Sequence, residues 1–453
     1  MKPLQTDVLI IGAGIIGIST AYYIKKFSPS TSVTLLDQFQ PMTFTSAQSG
    51  ENYRNWWPHP LMKKLTERSM ALMEEIAIET GERINLTRRG YLLATRKDDI
   101  SDIVSGIEGT YGDDASKFIR IQSPANCKSY QPPLTDKWQG APNGVDILKG
   151  HSLINKHYPN LDPTIRNIIH IRQAGMVDSQ QMATFMLEKF KAAGGKRVIG
   201  KVVGIEKADV FKVSLEGETK QIFASQVVNA AGPFAKVISE MLDINLPIEN
   251  ILQQKIAFPD TLKSIPRNQP FAIDLDEQII DWNEEEKALL REDPEFNWLT
   301  EEISGSIHCR PEGGDHSHWL KLGWAFNQSP TGATTKPELD TFYPEIVLRG
   351  AARLNPSLKA YYNKLPRNMV HYGGYYTTTP ENWPLIGATD VEGFYINGAM
   401  SGFGTMAACA SGELCSHWVL NKKVASHSHY LSLERYKDKT FMKQLNSMDK
   451  GIL

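Results

Sequence analysis

The stretch TDVLIIGAGIIGISTAYYIKKF, Thr6 to Phe27, carries the pattern G-x-G-x-x-G at Gly12, Gly14 and Gly17. Asp7 to Ile11 reads as a fully buried strand and Ile15 to Phe27 as the helix that follows it. The chain then returns to a second strand, Ser32 to Leu36, which ends at Asp37. Each residue type has a physical task in this arrangement. Gly12 permits a tight turn, Gly14 lets a pyrophosphate approach the backbone, and Gly17 lets the helix pack closely on the strand. Asp37 stands at the distance from which it accepts hydrogen bonds from an adenosine ribose. The helix N-terminus offers phosphates free N–H groups and a favourable dipole. A lone G-x-G-x-x-G says little, but with a strand before it, a helix after it and an acid in place it indicates a dinucleotide. The motif alone does not choose between NAD and FAD.

Outward from this motif, the uncharged run Val8 to Ile24 has to be distinguished from a membrane or export segment. A membrane span takes about 20 apolar residues, and a signal peptide takes a basic leading region. Here Asp7 precedes the run and three glycines interrupt it, so it is a strand and a helix, and no transmembrane segment is expected. The 453 residues suggest about two or three domain-sized units. With 49 basic against 51 acidic side chains, no single-sign field argues for nucleic acid as a partner. Four cysteines, Cys127, Cys309, Cys409 and Cys415, fall at no metal or redox spacing and read as free thiols of a reducing compartment. A cytoplasmic protein without a metal site is the expectation.

Three further stretches choose the cofactor. Gln173 to Gly195 reads as a turn at Val177-Asp178 followed by an amphipathic helix. Two strands, Lys201 to Ile205 and Val210 to Leu215, lead to QVVNAAGPFA, a buried strand that runs into a small-residue turn. Near the end, Phe394 to Ile396 reads as a strand, Gly398 to Gly404 as a glycine-rich loop, and the rest to Leu420 as a helix rich in small residues. On these pieces the chain resembles the D-amino-acid oxidase superfamily of FAD enzymes, which includes glycine oxidase and sarcosine oxidase. The matching motifs are GAGIIG, VDSQQM, VVNAAGPFA, TTTPENWPLIG from Thr377 and SGFG from Ser401, in the family order across nearly the whole chain.

The resemblance implies an α/β fold: a Rossmann-like FAD-binding domain interleaved with an antiparallel-sheet substrate domain (α+β). The implied boundaries are 1–87, 171–245 and 373–453 for the FAD-binding part, and 88–170 and 246–372 for the substrate part. It implies FAD, expected to be noncovalent here, held by Gly12, Gly14, Ile15, Ile16, Gly17 and Asp37. Further contacts are implied at Ser46, Ser49, Gly50, Val203, Ala231, Gly232, Gly402, Phe403, Gly404 and Thr405. The SGFG loop opens a helix, whose N–H groups suit the negative charge that develops on a reduced flavin. No second G-x-G-x-x-G occurs, so nothing marks a separate NAD(P)H domain, and the flavin is expected to be reduced by the substrate itself.

On the substrate side, Gly90 to Thr95, Gln254 to Phe258, Ser306 to Arg310 and Trp319 to Trp324 read as strands. The acidic stretch Asp281 to Asp293 reads as a solvated surface helix. The superfamily moves a hydride from a carbon next to nitrogen to flavin N5, so the protein must hold a carboxylate, orient the carbon and exclude water. Arginine is the natural clamp for a carboxylate because its planar fork matches two oxygens. The candidates for substrate contact are Arg54 in SGENYRNWWPHP, Arg310 at the end of its strand, and Tyr376. In that cluster Trp56 and Trp57 either wall the site from water or staple the loop to the core. Two departures from sarcosine oxidases stand out. Met406 replaces their carboxylate-binding lysine, and His318 stands where the resemblance would put the covalent flavin link.

The function that follows is an FAD-dependent oxidase or dehydrogenase of a small-molecule amine, a secondary or α-amino acid. Its electron acceptor, O2 or a quinone-type carrier, is not identified. One alternative is a 2-hydroxy-acid dehydrogenase of the same fold, with His59 or His371 as base. Another is a flavoprotein assembly or maturation factor with little turnover.

Overall fold

The computed structural model describes residues 4–125, 130–133, 137–218, 221–313, 316–448 and 450. Cys127 lies outside them. Two large sheets organise the chain, one of eight strands and one of nine.

In the eight-stranded sheet, Leu4–Ile11 is central. It pairs in parallel with Val33–Asp37 on one side and with Gln221–Asn229 on the other. Its apolar run is buried on both faces, with Leu9 and Ile10 fully enclosed, as expected of a parallel strand covered by helices. Lys196–Ile199 extends the sheet beyond Val33–Asp37. Gln221–Asn229 shares its other edge between two partners. Its first half pairs antiparallel with Phe211–Leu215, and its last residues pair in parallel with Phe394–Gly398. Val202–Lys207 closes the far side through Phe211–Leu215, and Leu385–Ala388 closes the other through Phe394–Gly398.

Two helices lie against this sheet and against each other, Ile15–Phe27 and Gly404–Val419. Small residues let them approach. A Cβ on Gly412 would fall 2.2 Å from the Ser19 hydroxyl oxygen, and Ser19 Oγ donates to the Ala408 carbonyl at 2.7 Å. The small-residue composition of the second helix is therefore a packing requirement, and it brings both helix N-termini to one edge of the sheet.

The nine-stranded sheet runs in the order Val370–Thr378, Glu249–Pro259, Trp319–Gly323, Ile307–Glu312, Phe271–Asp274, Tyr91–Thr95, Asn167–Ile171, Val145–Lys149, Ile119–Gln122. It is antiparallel except at two pairings. Phe271–Asp274 runs parallel to Tyr91–Thr95, and Ile119–Gln122 runs parallel to Val145–Lys149. The helix Tyr343–Leu354 contributes Ile346, Val347, Leu348 and Ala351 to its core.

Two connections fix one sheet against the other. A short ribbon pairs Asn52–Arg54 with Ala174–Met176. A bridge joins Thr377 to Ser401, where Ser401 N donates to the Thr377 carbonyl at 2.8 Å. The acidic stretch forms the helix Glu284–Glu292, capped by Asn283 and Glu286, with no buried residue. No helix among the described residues is long and apolar enough to cross a membrane.

Candidate active site

A cleft of about 1160 Å³ runs along the carboxyl ends of the parallel strands, from Asp37 and Phe39 at one end to Tyr376 and Gly402 at the other. Its floor is the glycine turn. Gly12 has φ +112, and a Cβ there would fall 2.2 Å from the Ala230 carbonyl oxygen. Gly17 does not line the cleft. A Cβ on it would lie 1.9 Å from the Gly12 carbonyl oxygen, so its task is to seat the helix on the turn.

Asp37 lines the cleft, and each of its carboxylate oxygens accepts one backbone N–H, from Ala13 at 2.7 Å and from Phe39 at 2.8 Å. A carboxylate has about four acceptor sites, so capacity for a ribose remains. Ser46 Oγ accepts from Ile15 N at 3.0 Å in the first turn of the helix, and its hydroxyl hydrogen can be donated elsewhere. Ser49 meets Thr405, hydroxyl to hydroxyl, at 2.8 Å, which ties the two loops together across the cleft.

The far end is built by the loop Gly398 to Gly402. Ala399 and Ser401 hold left-handed backbone, with φ 55 and φ 43. Such conformations are costly outside glycine and persist where the surroundings over-determine them. A Cβ on Gly402 would fall 2.6 Å from the Tyr376 ring, so the tyrosine lies directly on the loop.

The chemistry of this cleft fits an elongated dinucleotide. The helices Ile15–Phe27 and Gly404–Val419 both open onto it, and neither has an acidic residue in its first turn. One such N-terminus suits a pyrophosphate, the other an anionic ring edge.

A second cavity of about 1060 Å³ adjoins the first. Gly50, Lys255, Tyr376 and Gly402 line both. The remaining wall of the second cavity includes Arg54, Trp57, Tyr91, Phe271, His308 and Phe403. Arg54 is buried in its ribbon strand, with the guanidinium 5.2 Å from the Trp57 ring centroid and 5.7 Å from that of Trp56. The indole N–H of Trp57 and Oδ1 of Asn52, both in this wall, are buried without a hydrogen-bond partner among the described residues.

The titratable groups of this wall are set by burial. Tyr376 is pushed up to about 12. Lys255 is pushed down to about 8. His308 is pushed down to about 3, by burial first and then by the Lys255 charge, so its imidazole is neutral. Its Nδ1 lies 3.2 Å from the Ser306 carbonyl and donates to it in that neutral form. The Glu51 carboxylate accepts from Ser179 N at 3.1 Å and from Ser179 Oγ at 2.9 Å.

Most of the residues marked in the sequence come together here. Gly12, Gly14, Ile15, Ile16, Asp37, Ser46, Ser49, Gly50, Ala231, Gly232, Gly402, Gly404 and Thr405 line the first cleft. Arg54 and Tyr376 line the second. The other placements differ. Val203 lies on an edge strand with its side chain half exposed, at a register shift between Val202 and Gly204 that leaves Val202 facing inward, and it lines neither cavity. Phe403 faces the second cavity.

Arg310 is fully buried but outside both cavities. It donates to the Gly50 carbonyl at 2.7 Å and pairs with Glu312 at 2.8 Å. It therefore shapes the loop at Gly50 from behind. Trp56 packs in the apolar cluster behind Tyr91 and Phe271 and does not itself line the cavity, so of the pair Trp57 walls it.

The expected alternative bases also lie elsewhere. His59 caps its helix by accepting from Leu61 N at 3.1 Å, and His371 lies 2.9 Å from the Gln254 amide oxygen. His318 is exposed and lines neither cavity. The sequence reading missed Lys255 and His308. No local signal set them apart: Gln253 and Gln254 precede the lysine in its strand, and Arg310 and Glu312 share the strand of the histidine.

A family model described as DAO, FAD dependent oxidoreductase, matches residues 7–418. An L-2-hydroxyglutarate dehydrogenase of Indibacter alkaliphilus is 25% identical over 246 residues, which are 52% of this chain and 53% of that protein. Among solved structures, L-proline dehydrogenase from P. horikoshii superposes with a TM-score of 0.70 at 19% identity, covering 96% of this chain and 99% of that one. Glycine oxidase from Geobacillus kaustophilus gives 0.69 at 16%, covering 95% and 99%. NikD, an amino acid oxidase, gives 0.71 at 15%, covering 95% and 97%. At these identities the likeness is one of fold. The cofactor of this family is FAD.

Proposed function

We propose, starting from the fact that this chain belongs to the FAD dependent oxidoreductase family, that its substrate is a small amine bearing a carboxylate. A secondary or α-amino acid of this kind is oxidised at the carbon next to nitrogen. The observation that carries this reading is the second cavity. It opens onto the cofactor cleft through Gly50, Lys255, Tyr376 and Gly402, and its cations are Arg54 and Lys255. The carboxylate of Glu51, its acidic residue, is held by Ser179.

Bound FAD supplies the hydride acceptor. The rest is the task of the protein. Arg54 receives the substrate carboxylate, with its fork held in plane by the indole of Trp57. Phe271, Phe403 and Trp57 close the cavity against water, which strengthens every charge interaction inside it. A cationic, desolvated wall disfavours ammonium, so the substrate nitrogen binds in the neutral form that donates hydride. The Tyr376 ring, seated on Gly402, positions the substrate carbon against the cofactor edge. The neutral imidazole of His308 adds no competing charge.

The names of the glycine oxidase and the L-proline dehydrogenase support an amine donor. The L-2-hydroxyglutarate dehydrogenase supports a hydroxy acid; of the histidines that could serve as its base, His59 and His371 lie outside the cavity, and His308, which lines it, has its proton affinity lowered by burial. The test is anaerobic mixing of the FAD-loaded protein with N-methyl amino acids, amino acids and 2-hydroxy acids while the visible flavin absorbance is followed. Bleaching by amines is the expected result. Bleaching by hydroxy acids alone, or by nothing in the panel, refutes the reading.

A further inference from the structure

A hydride that leaves the second cavity for the cofactor cleft has to cross the border between them, and the substrate nitrogen is one bond from the carbon that loses it. Among the described residues that line both, Lys255 and Tyr376 carry ionisable side chains, and the others are serine, threonine and glycine. Lys255 sits in the middle of the strand Glu249–Pro259, opposite Gly323 on one side and Tyr372 on the other. Its stem passes Gly50, where a Cβ would lie 3.9 Å from the lysine Cε. Its Nζ stops 5.5 Å from the Tyr376 ring centroid. The side chain is buried, and among the described residues it makes no hydrogen bond or ion pair, so its nitrogen is not engaged by the protein.

The other groups that face this lysine are poorer proton acceptors. Burial holds Tyr91, Tyr372 and Tyr376 in their phenol forms. His308, across Gly323, is pushed down to about 3, too low to take a proton from an amine. Arg54 lines the second cavity as a guanidinium, a group of donors only. Glu51 lines the second cavity but not the cofactor cleft, and its carboxylate accepts from Ser179 N and Oγ. Glu312, one row along the sheet, is shared by Arg310 at 2.8 Å and Lys321 at 3.0 Å, and these three line neither cavity.

We propose that Lys255 is the base of the reaction: its Nζ takes the proton that the substrate ammonium gives up before the neighbouring carbon loses hydride. On the amine reading above, on which this inference rests, an N–H bond of the substrate breaks and an N–H bond of Lys255 forms. That frees the nitrogen lone pair. The carbon–hydrogen bond then breaks, two electrons leave with the hydride for bound FAD, and the lone pair closes the carbon–nitrogen double bond of an iminium product. Proton transfer moves one positive charge from the substrate to Nζ and creates none, so the buried site bears no added charge. The charged Nζ is then received by the face of the Tyr376 ring. The depressed proton affinity of the free lysine, about 8, agrees with the role, since a general base works best near the operating pH.

The experiment uses the FAD-loaded protein and 2-aminoisobutyrate, an amino acid with no hydrogen on its α-carbon, which therefore binds without turnover. Binding is read from the perturbation of the flavin spectrum, and proton exchange with a pH indicator. At about pH 9 the free lysine is mostly neutral and the free ligand mostly ammonium, whose ordinary value is about 10. In wild type the proton passes from ligand to Lys255, and about none is expected to reach solvent. In Lys255→Met that acceptor is gone, and release of about one proton per bound ligand is expected. Equal release by the two proteins, whether about one or none, overturns the inference. Anaerobic flavin reduction by an oxidisable amine gives a second readout. Substrate affinity should rise with pH and level off above about 8 in wild type, but only above about 10 in the variant, a shift of about two pH units. If methionine displaces FAD, Lys255→Gln repeats the comparison, and a wild-type plateau reached only near about pH 10 overturns the inference without any variant. If no amine bleaches the flavin, the amine reading falls and this inference with it. If amines bleach it and the two proteins release protons alike, the role of Lys255 falls and the amine reading stands.

Discussion

Replacing Lys255 by methionine should make the FAD-loaded, ligand-free protein more stable near neutral pH and should change how that stability responds to pH. Burial takes this lysine from the ordinary 10.5 down to about 8, while the unfolded chain returns it to water and to its ordinary value. Below about pH 8 both states hold the proton, and the folded state bears the cost of burying it. Between about 8 and 10.5 the unfolded chain holds more protons than the folded one, so wild-type stability rises with pH through that window and levels off above it. At about 1.4 kcal/mol per pH unit the full span amounts to about 3 kcal/mol. Methionine fills a similar volume with a flexible apolar stem and no charge.

The variant should therefore exceed wild type by about 3 kcal/mol at about pH 7 and lose that advantage by about pH 10.5. Urea unfolding followed by tryptophan and flavin fluorescence across this range measures the difference. Lys321, also pushed down to about 8, is present in both proteins and cancels. A variant no more stable than wild type at neutral pH, or two parallel pH profiles, would refute the reasoning, because either result means that Lys255 already has a counter-charge.

Three further outcomes are expected. Arg54→Ala should keep FAD but lose reduction by substrate, seen as an intact flavin spectrum that no longer bleaches; retained turnover would make the SGENYRNWWPHP cluster structural. In Gly17→Ala the new methyl would lie 1.9 Å from the Gly12 carbonyl oxygen, a backbone atom that cannot step aside. FAD content after purification should then collapse, and normal loading would show that the turn tolerates the shift. Arg435→Leu strands the fully buried Glu381, and a loss of about 3–5 kcal/mol is expected by denaturant unfolding. Recovery in Arg435→Leu/Glu381→Leu would assign the loss to the orphaned carboxylate.

Much of the cofactor cleft was legible because its parts are local. The glycine turn, the acid at the end of the next strand and the SGFG helix start each state their geometry within a few residues, through glycine spacing and the change from strand to helix period. The substrate wall was less legible because it is assembled across strands. Arg310 and Arg54 both look like carboxylate clamps in the sequence. Only the pairing of Ile307–Glu312 beside Trp319–Gly323, and the ribbon at Met176, shows that Arg310 is spent on the Gly50 carbonyl and Glu312. Val203 and Val202 are adjacent and chemically alike, so strand register alone decided which one faces inward.

From the sequence alone came the dinucleotide turn and the absence of a second such motif, and the choice of FAD came through the family resemblance that its short motifs carry. These depend on short-range order, which neighbouring residues enforce on one another. The tertiary structure alone brought Lys255, on one strand, beside His308 on another, across a glycine on the strand between them, and turned both toward Arg54 and Tyr376. A charge acquires its meaning from what surrounds it, and the surroundings of a buried lysine are set by the fold.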